Sequence, residues 1–519
     1  MLLDPGGRQA AEQSDVIVIG AGAVGLALAI RLARAGRRVS VLEAGPQHPQ
    51  SDYRRLNEGL SVGAPHQGLE NGRMKALGGT TRLWGGQLVP FGKGDLDGDI
   101  LGEPSRWPLR HAELAPHIQA AFGFLGVPPQ AADREQIWRS ATGLSPELGD
   151  SLCLGMNLWL PEPDFTRLFQ RDIRAANGPG ILTDMTVRTI RFNPEGTRAV
   201  AVEASGPDGA IRQFTAPTIV MAAGTFENVR LLLRAAATNP SGPLARNAWI
   251  GRGFIDHLHG LAGAIEVDDP KALSRMFDNI YFQGRKYGVK IRMADSFRAR
   301  EGILNCAGTL NAVMPFGTML REIPGLWRRM LVGGGSTQAI GQSFAMARIL
   351  LPVALRYVLQ RRSTNLLSGG VHLGIELEQA PTTRSYLSLD PSRPPEDAAL
   401  MLHWGFDGRE MDAVSVFTAE LDRQFRQTGL GRIAIDPRIL DRDPAFLATC
   451  RDSNHQMGGA RMAADPADGV VDRNLRVFGI DNLHVLGAAT FPTGSFANPT
   501  LTALAFAMRL ADHLLEGAC

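Results

Sequence analysis

Cysteine is scarce. Cys153, Cys306, Cys450 and Cys519 are the only four in 519 residues, and no two stand in a C-x-x-C spacing. That scatter offers neither a zinc site nor a disulfide framework, and it fits a reducing compartment. Excess charge is also missing: 54 lysines and arginines against 52 acidic residues leave +2, no global attraction for nucleic acid. No run reaches the roughly 18 uninterrupted apolar residues of a spanning helix. The opening "MLLDPGGRQAAEQSD" has no basic segment before an apolar core and no twin arginine, so a cytoplasmic location is expected. No H-E-x-x-H pair offers a zinc-protease site. What remains is a hydrophobic content of 44% with 20% charge, as in a globular chain, long enough for two or three folding units.

The first of these units is marked by "DVIVIG", Asp15 to Gly20, a continuously apolar and β-branched run suited to a strand buried on both faces. It leads into "GAGAVG", a G-x-G-x-x-G at Gly20, Gly22 and Gly25, then "LALAIRLARAG" with helical spacing, ending at Gly36. A second strand, "RVSVLEAG", closes on Glu43, 18 residues after Gly25. Each part has a physical task. Gly20 makes the tight turn, Gly22 lets backbone approach a pyrophosphate, and Gly25 lets helix pack on strand. The helix N-terminus offers free N–H groups to phosphate. Glu43 is placed for a ribose hydroxyl pair and disfavours a 2′-phosphate. FAD and NAD share this fingerprint, and the segment alone does not separate them.

Two further stretches carry the argument on. "MKALGGTTRLWGGQLVPF", Met74 to Phe91, sets two Gly-Gly pairs around an indole, as for backbone pressed on a flat ligand. "PTIVMAAGTFENVRLLLRA" reads as strand, small-residue turn and helix. With "GRGFIDH" and the block from His455 to Leu514, these motifs resemble the glucose–methanol–choline (GMC) family of FAD-dependent oxidoreductases. "RVFGIDNLHVLG" and "PTGSFANPTLTA" are most similar to its sugar-oxidising, pyranose oxidase-like branch.

The resemblance implies an α/β fold, with a Rossmann-like FAD-binding domain on a mixed or parallel sheet. A discontinuous α+β substrate domain with an antiparallel sheet is expected beside it. It implies that FAD is held by Gly20, Gly22, Ala23, Val24, Gly25, Glu43 and Ala44, and by Gly78, Gly79, Thr80, Trp84, Gly85 and Gly86. Val187, Ala223, Gly224, Gly487, Ala488, Asn498, Pro499 and Thr500 are expected to complete that set. Relatives that bind flavin covalently carry histidine before the tryptophan; here that place is Leu83, so non-covalent FAD is implied.

Alcohol oxidation needs a base for the hydroxyl proton while hydride leaves the carbinol carbon for flavin N5. A neutral imidazole suits that role near neutrality. By resemblance, His455 in "SNHQMGGARM" is the base and Asn498 its partner at the substrate oxygen, while Gln456, Met457 and Trp404 line the substrate site. Asn498 and Pro499 also suit a helix N-cap and first turn. His257 and His259 in "IDHLHG" have no carboxylate or cysteine cluster beside them in sequence, so they are expected to be structural and no metal is expected.

Domain limits follow from these motifs. Residues 12–100 and 181–261 are expected to form two parts of the FAD domain, and 101–180 an intervening helical or lid region. Residues 262–440 are expected as the substrate domain, and 441–519 as a C-terminal FAD-binding segment. In 262–440, "VHLGIELEQAP", "RSYLSLD" and "ALMLHWGFD" read as strands of a sheet roofing the flavin. Phe316 to Arg362 holds seven arginines against Glu322. One reading is a solvated helix pair at the site entrance. The sharper one is a basic amphipathic surface for membrane phospholipid or a partner. The expected activity is oxidation of an alcohol, on a sugar or glycoside, by a dehydrogenase rather than an oxidase, with the acceptor unassigned. A lipid-linked alcohol, a nicotinamide-dependent dehydrogenase and a non-catalytic flavin-binding subunit are the alternatives.

Overall fold

The computed structural model describes residues 2–3, 14–51, 53, 57–102, 105–145, 147–312, 358–363 and 370–517. Most of the basic segment 316–362 lies outside the described residues.

The chain opens with β1 (Val16–Ile19), α1 (Ala23–Arg34) and β2 (Val39–Leu42). Helix α2 (His111–Phe124) and strand β3 (Leu152–Trp159) follow. Next come β4 (Gly180–Leu182), β5 (Thr218–Met221) and helix α3 (Thr225–Thr238). Strands β6 (Leu258–Val267), β7 (Arg285–Met293), β8 (Cys306–Ala312) and β9 (Val371–Leu377) then build a second sheet. Helix α4 (Arg409–Thr428) and β10 (Gly431–Ile435) close it. Finally β11 (Leu483–Val485) and α5 (Pro499–Glu516) return to the first.

The first sheet runs β4–β2–β1–β5–β11, all parallel, with Leu2–Leu3 beyond β4. All four residues of β1 and of β2 are buried, as their unbroken apolar runs require for strands covered on both faces. α5 packs on both α1 and α2 through leucine, alanine and phenylalanine. An aromatic cluster of Phe91, Trp107, Phe491 and Phe506 fastens the end of the Met74–Phe91 stretch to α5, with ring centroids 5.2–6.0 Å apart. Trp107 donates to Thr493 at 2.8 Å and the Phe91 N–H to Thr502 at 3.0 Å, so the polar atoms beside the rings are satisfied. Each such ring contributes on the order of 2–3 kcal/mol by burial.

The second sheet is antiparallel, with β7–β8–β9–β6–β10 as its centre. Three expectations shift here. Part of the supposed lid at 101–180 is structural sheet: β3 pairs with β7 from Leu152 opposite Met293 to Trp159 opposite Lys286. β6 begins at Leu258, so this sheet starts before residue 262. "RSYLSLD" and "ALMLHWGFD" do form strands, Tyr386–Leu389 and Leu400–Trp404, but not in the roof. They pair with each other and with Gly59–Gly63 in a separate small sheet. Among the described residues no helix is long and apolar enough to cross a membrane.

Candidate active site

At the end of β1 the backbone turns through Gly20 with φ +103°, where a Cβ would sit 2.7 Å from the Ala222 carbonyl oxygen. A Cβ on Gly25 would lie 2.1 Å from the Gly20 oxygen, so glycine there sets the approach of α1 to the strand. Gly22 differs: among the described residues nothing lies within 4 Å of its Cβ position, which leaves the space ahead of the α1 N-terminus open. Glu43 ends β2 and is buried. It accepts the Ala21 N–H at 2.8 Å and the Gly45 N–H at 3.0 Å. Burial pushes its carboxyl above the ordinary range, and the two N–H groups oppose that. Each carboxylate oxygen retains a second lone pair for a ribose hydroxyl.

A cavity of about 760 Å³ runs from this turn to the second sheet. Its wall includes Gly20, Gly22, Ala23, Val24, Glu43, Ala44, Gly79, Thr80, Trp84 and Gly85. Val187, Ala223, Gly224, Gly487, Ala488, Asn498, Pro499 and Thr500 continue it to His455 and Gln456. A glycine cradle, an acid at the ribose position and a helix N-terminus fit a dinucleotide with a flat head group. Leu83 also lines the cavity and offers no atom for a covalent bond.

Some expected wall residues stand elsewhere. Gly25, Gly78 and Gly86 do not line the cavity; Cβ atoms there would strike Gly20, Thr166 and Pro163 respectively. They shape the cradle from behind. Met457 is fully buried and bridges to Ile255, its Cε lying near Gly494. Trp404 is buried too, donating to Gln379 at 2.9 Å and edging against His66 at 4.7 Å. Both are core residues behind the site, because alternation along their segments turns them inward while Gln456 faces the cavity.

The sequence reading missed a cation cluster on the wall. Arg73 and Lys75 lie 2.9 and 3.1 Å from Glu227, and Arg230 lies 3.5 Å from it. Burial works against the Glu227 charge, but Lys75, Arg230 and Arg73 outweigh it and hold the carboxyl well below the usual range. Three cations share one carboxylate here, which suits a phosphate-bearing ligand. No motif announces them, since single basic residues in turns are ordinary.

At the other end, His455 lies in the wall between β6 and the start of α5. Its Nδ1 is 2.9 Å from His257 Nδ1, and its Nε2 is 2.9 Å from Asn498 Nδ2. Asp256 accepts the backbone N–H of His455 at 2.9 Å and of His257 at 2.7 Å, tying the two segments together. Burial, then His257, pulls the His455 imidazole down to about 4, so the ring is neutral at pH 7. Asn498 does precede α5, and Pro499 is its first residue, but the Asn498 side chain makes no cap hydrogen bond. It turns to His455 instead, and its Oδ1 has no hydrogen-bond partner among the described residues.

The expectation that His257 and His259 lack a neighbouring carboxylate is overturned. Across the β6–β9 pairing, His259 stands opposite Glu376, and Glu376 lies within reach of His257 and His455. Lys290 on β7 forms a salt bridge with Glu376. Burial opposes the Glu376 charge, yet Lys290, His455 and His257 hold its carboxyl at about 2. A second buried group stands behind: His66 Nε2 lies 3.1 Å from Asp256. Pairing between strands brings these residues together, and no local spacing predicts it.

Residues 15–250 match the family described as FAD dependent oxidoreductase, and residues 381–507 match that described as GMC oxidoreductase. The chain is 23% identical to 2-methyl-1,2-propanediol dehydrogenase of Mycolicibacterium austroafricanum, covering 97% of this chain and 95% of that protein. It is 24% identical to the fructose dehydrogenase large subunit of Gluconobacter japonicus, covering 97% and 98%. The fold is that of pyridoxine 4-oxidase from Mesorbium loti, with TM-score 0.60, 19% identity and coverage of 96% and 99%.

Proposed function

The chain is built as an FAD-dependent GMC oxidoreductase, and from that premise we propose that it is a dehydrogenase of a sugar or glycoside alcohol with His455 as base. The observation that carries this reading is the His455–Asn498 pair at 2.9 Å on the wall of the FAD cavity. Bound FAD would supply the two-electron acceptor for the hydride that leaves the carbinol carbon. Everything else falls to the protein. A substrate hydroxyl entering between His455 and Asn498 gives its proton to His455 Nε2. Asn498 Nδ2 donates to the substrate oxygen and orients it, but has no proton-accepting nitrogen, so the base role rests on His455. Glu376 close behind offsets the positive charge that His455 gains.

A polyhydroxylated substrate finds unpaired partners here. Asn498 Oδ1 and Gln456 Nε2 are buried at the wall without hydrogen-bond partners among the described residues. A sugar fills such acceptors and donors, whereas an aliphatic alcohol leaves them unpaired at about 1–3 kcal/mol each. The names of relatives include a fructose dehydrogenase subunit, which supports a sugar, and a propanediol dehydrogenase, which supports a small diol. Both of these are named dehydrogenases, in keeping with an acceptor other than oxygen, while other relatives are named oxidases. Leu83, which cannot bond to flavin, supports non-covalent FAD.

The test is the anaerobic visible spectrum of the FAD-loaded protein with a panel of sugars, glycosides and simple diols. Bleaching by sugars, with slow recovery in air and fast recovery with an artificial acceptor, is expected. Bleaching by diols alone contradicts the substrate, rapid recovery in air contradicts the dehydrogenase, and no bleaching with any alcohol contradicts the activity.

A further inference from the structure

On the reading that His455 is the base, its use depends on which ring nitrogen carries the proton. The contacts decide this. His257, fully buried at the head of β6, has its Nε2 3.0 Å from the carbonyl oxygen of Gly494. A carbonyl only accepts, so His257 Nε2 carries the hydrogen. In its neutral form, with that one N–H bonded to a carbonyl, the His257 ring has a lone pair on Nδ1. That lone pair faces His455 Nδ1 at 2.9 Å, with the rings 81° apart. Two lone pairs at this distance repel, so the hydrogen between the rings belongs to His455 Nδ1. His455 Nε2 is therefore the free lone pair, and it accepts from the Asn498 amide N–H at 2.9 Å. Donors run in one direction from Asn498 to His455 Nε2, and from His455 Nδ1 through His257 to Gly494.

We propose that His257 is a positioning residue that fixes the tautomer of His455, keeping the proton on Nδ1 and the basic lone pair on Nε2, facing the substrate. Without this acceptor, His455 is free to carry its hydrogen on Nε2, where it has nothing to offer a hydroxyl proton. Asp256 serves the same end from the backbone, since it holds the N–H groups of both histidines. Gly494 is itself anchored: its N–H donates to Glu378 at 3.2 Å.

The direct test is nitrogen NMR of the FAD-loaded protein labelled with 15N-histidine, with the His455 signals assigned by loss in His455→Gln. The expected pattern is protonated Nδ1 and unprotonated Nε2 at neutral pH; a protonated Nε2 overturns the proposal. The kinetic test compares His257→Phe, which removes the acceptor, with His257→Asn, whose Oδ1 supplies one near the Nδ1 position. The anaerobic rate of flavin reduction is expected to fall about 10–100-fold in His257→Phe, with FAD content and KM close to wild type. Partial recovery is expected in His257→Asn. The His455 signals of His257→Phe should change to a mixture of tautomers. A wild-type tautomer and rate in His257→Phe overturn the proposal. If that variant does not fold, the wild-type spectrum decides alone. Failure of the base assignment is read separately, because a wild-type reduction rate in His455→Ala removes it without altering the nitrogen spectrum.

Discussion

In the proposed reaction His455 accepts a proton at neutral pH, which requires a neutral ring, and burial and His257 hold it so. With the imidazole at about 4, the base is unprotonated over the whole neutral range and is lost only as pH falls through that value. The rate of flavin reduction is thus expected to be flat between about pH 6 and 8 and to fall on acidification towards 4. Stopped-flow reduction across pH checks this; a break near 6.5, the ordinary histidine value, contradicts it. Asn498→Ala should retain FAD and lose about 10²-fold in reduction rate, because the substrate oxygen loses its donor. His455 and Asn498 could be singled out as candidates because the motifs around them resemble those of the family. His257 was not legible as their partner. It lies 198 residues from His455, and only the geometry of a strand beginning shows that the two rings meet.

Elements were legible where one physical pattern fills one window. β1 and β2 read as strands from continuous apolar runs, and α1 from its spacing and the Gly36 stop. Pairing was not legible. Tyr386–Leu389 and Leu400–Trp404 carry good strand patterns, yet periodicity does not name a partner, and theirs is Gly59–Gly63 rather than the roof. The glycine fingerprint predicts two separable phenotypes. Gly25→Ala places a Cβ 2.1 Å from the Gly20 oxygen and should destabilise even the FAD-free protein by about 3 kcal/mol or more. Gly22→Ala meets nothing within 4 Å among the described residues, so the FAD-free melting curve should stay close to wild type while FAD affinity falls about tenfold or more. Melting and FAD titration of both variants test the division. Equal destabilisation would contradict it.

β11 adds a pH term. Burial pulls its His484 down to about 4, against 6.5 for an exposed ring. Above pH 6.5 neither folded nor unfolded His484 is protonated. As pH falls from 6.5 towards 4, only the unfolded ring binds a proton, so stability is lost over that window and the loss levels off below it. His484→Gln should lose less stability than wild type between pH 7 and 4.5, by roughly 2–3 kcal/mol. Denaturant unfolding at the two pH values measures it.

At the scale of the molecule, the cavity draws its wall from β1 to β2, from Thr80 to Gly85, from Ala223 to Gly224 and from the start of α5. A ligand spanning segments so far apart in sequence stabilises them together. FAD at a thousandfold excess over its Kd should add about 4 kcal/mol, raising Tm and slowing proteolysis of both sheets. The two-domain plan was legible because each half has its own pattern, β-branched parallel runs in one and alternating strands in the other. Its limits were not, since β3 and β6 cross the boundaries that motif positions suggested. Neither was the polar interior behind the site. Glu376, Lys290, Asp256 and His66 come from different strands and loops, and a buried charge carries no sequence signature until its partner is known.

The central claim is that this protein oxidises an alcohol with His455 as the base. The measurement that tests it most directly is anaerobic, single-turnover flavin reduction by a bleaching substrate, in wild type and His455→Ala, each with FAD content confirmed by its spectrum. A loss of about 10²–10⁴-fold in His455→Ala, with FAD still bound, is the predicted result. Reduction at the wild-type rate without the imidazole would contradict it.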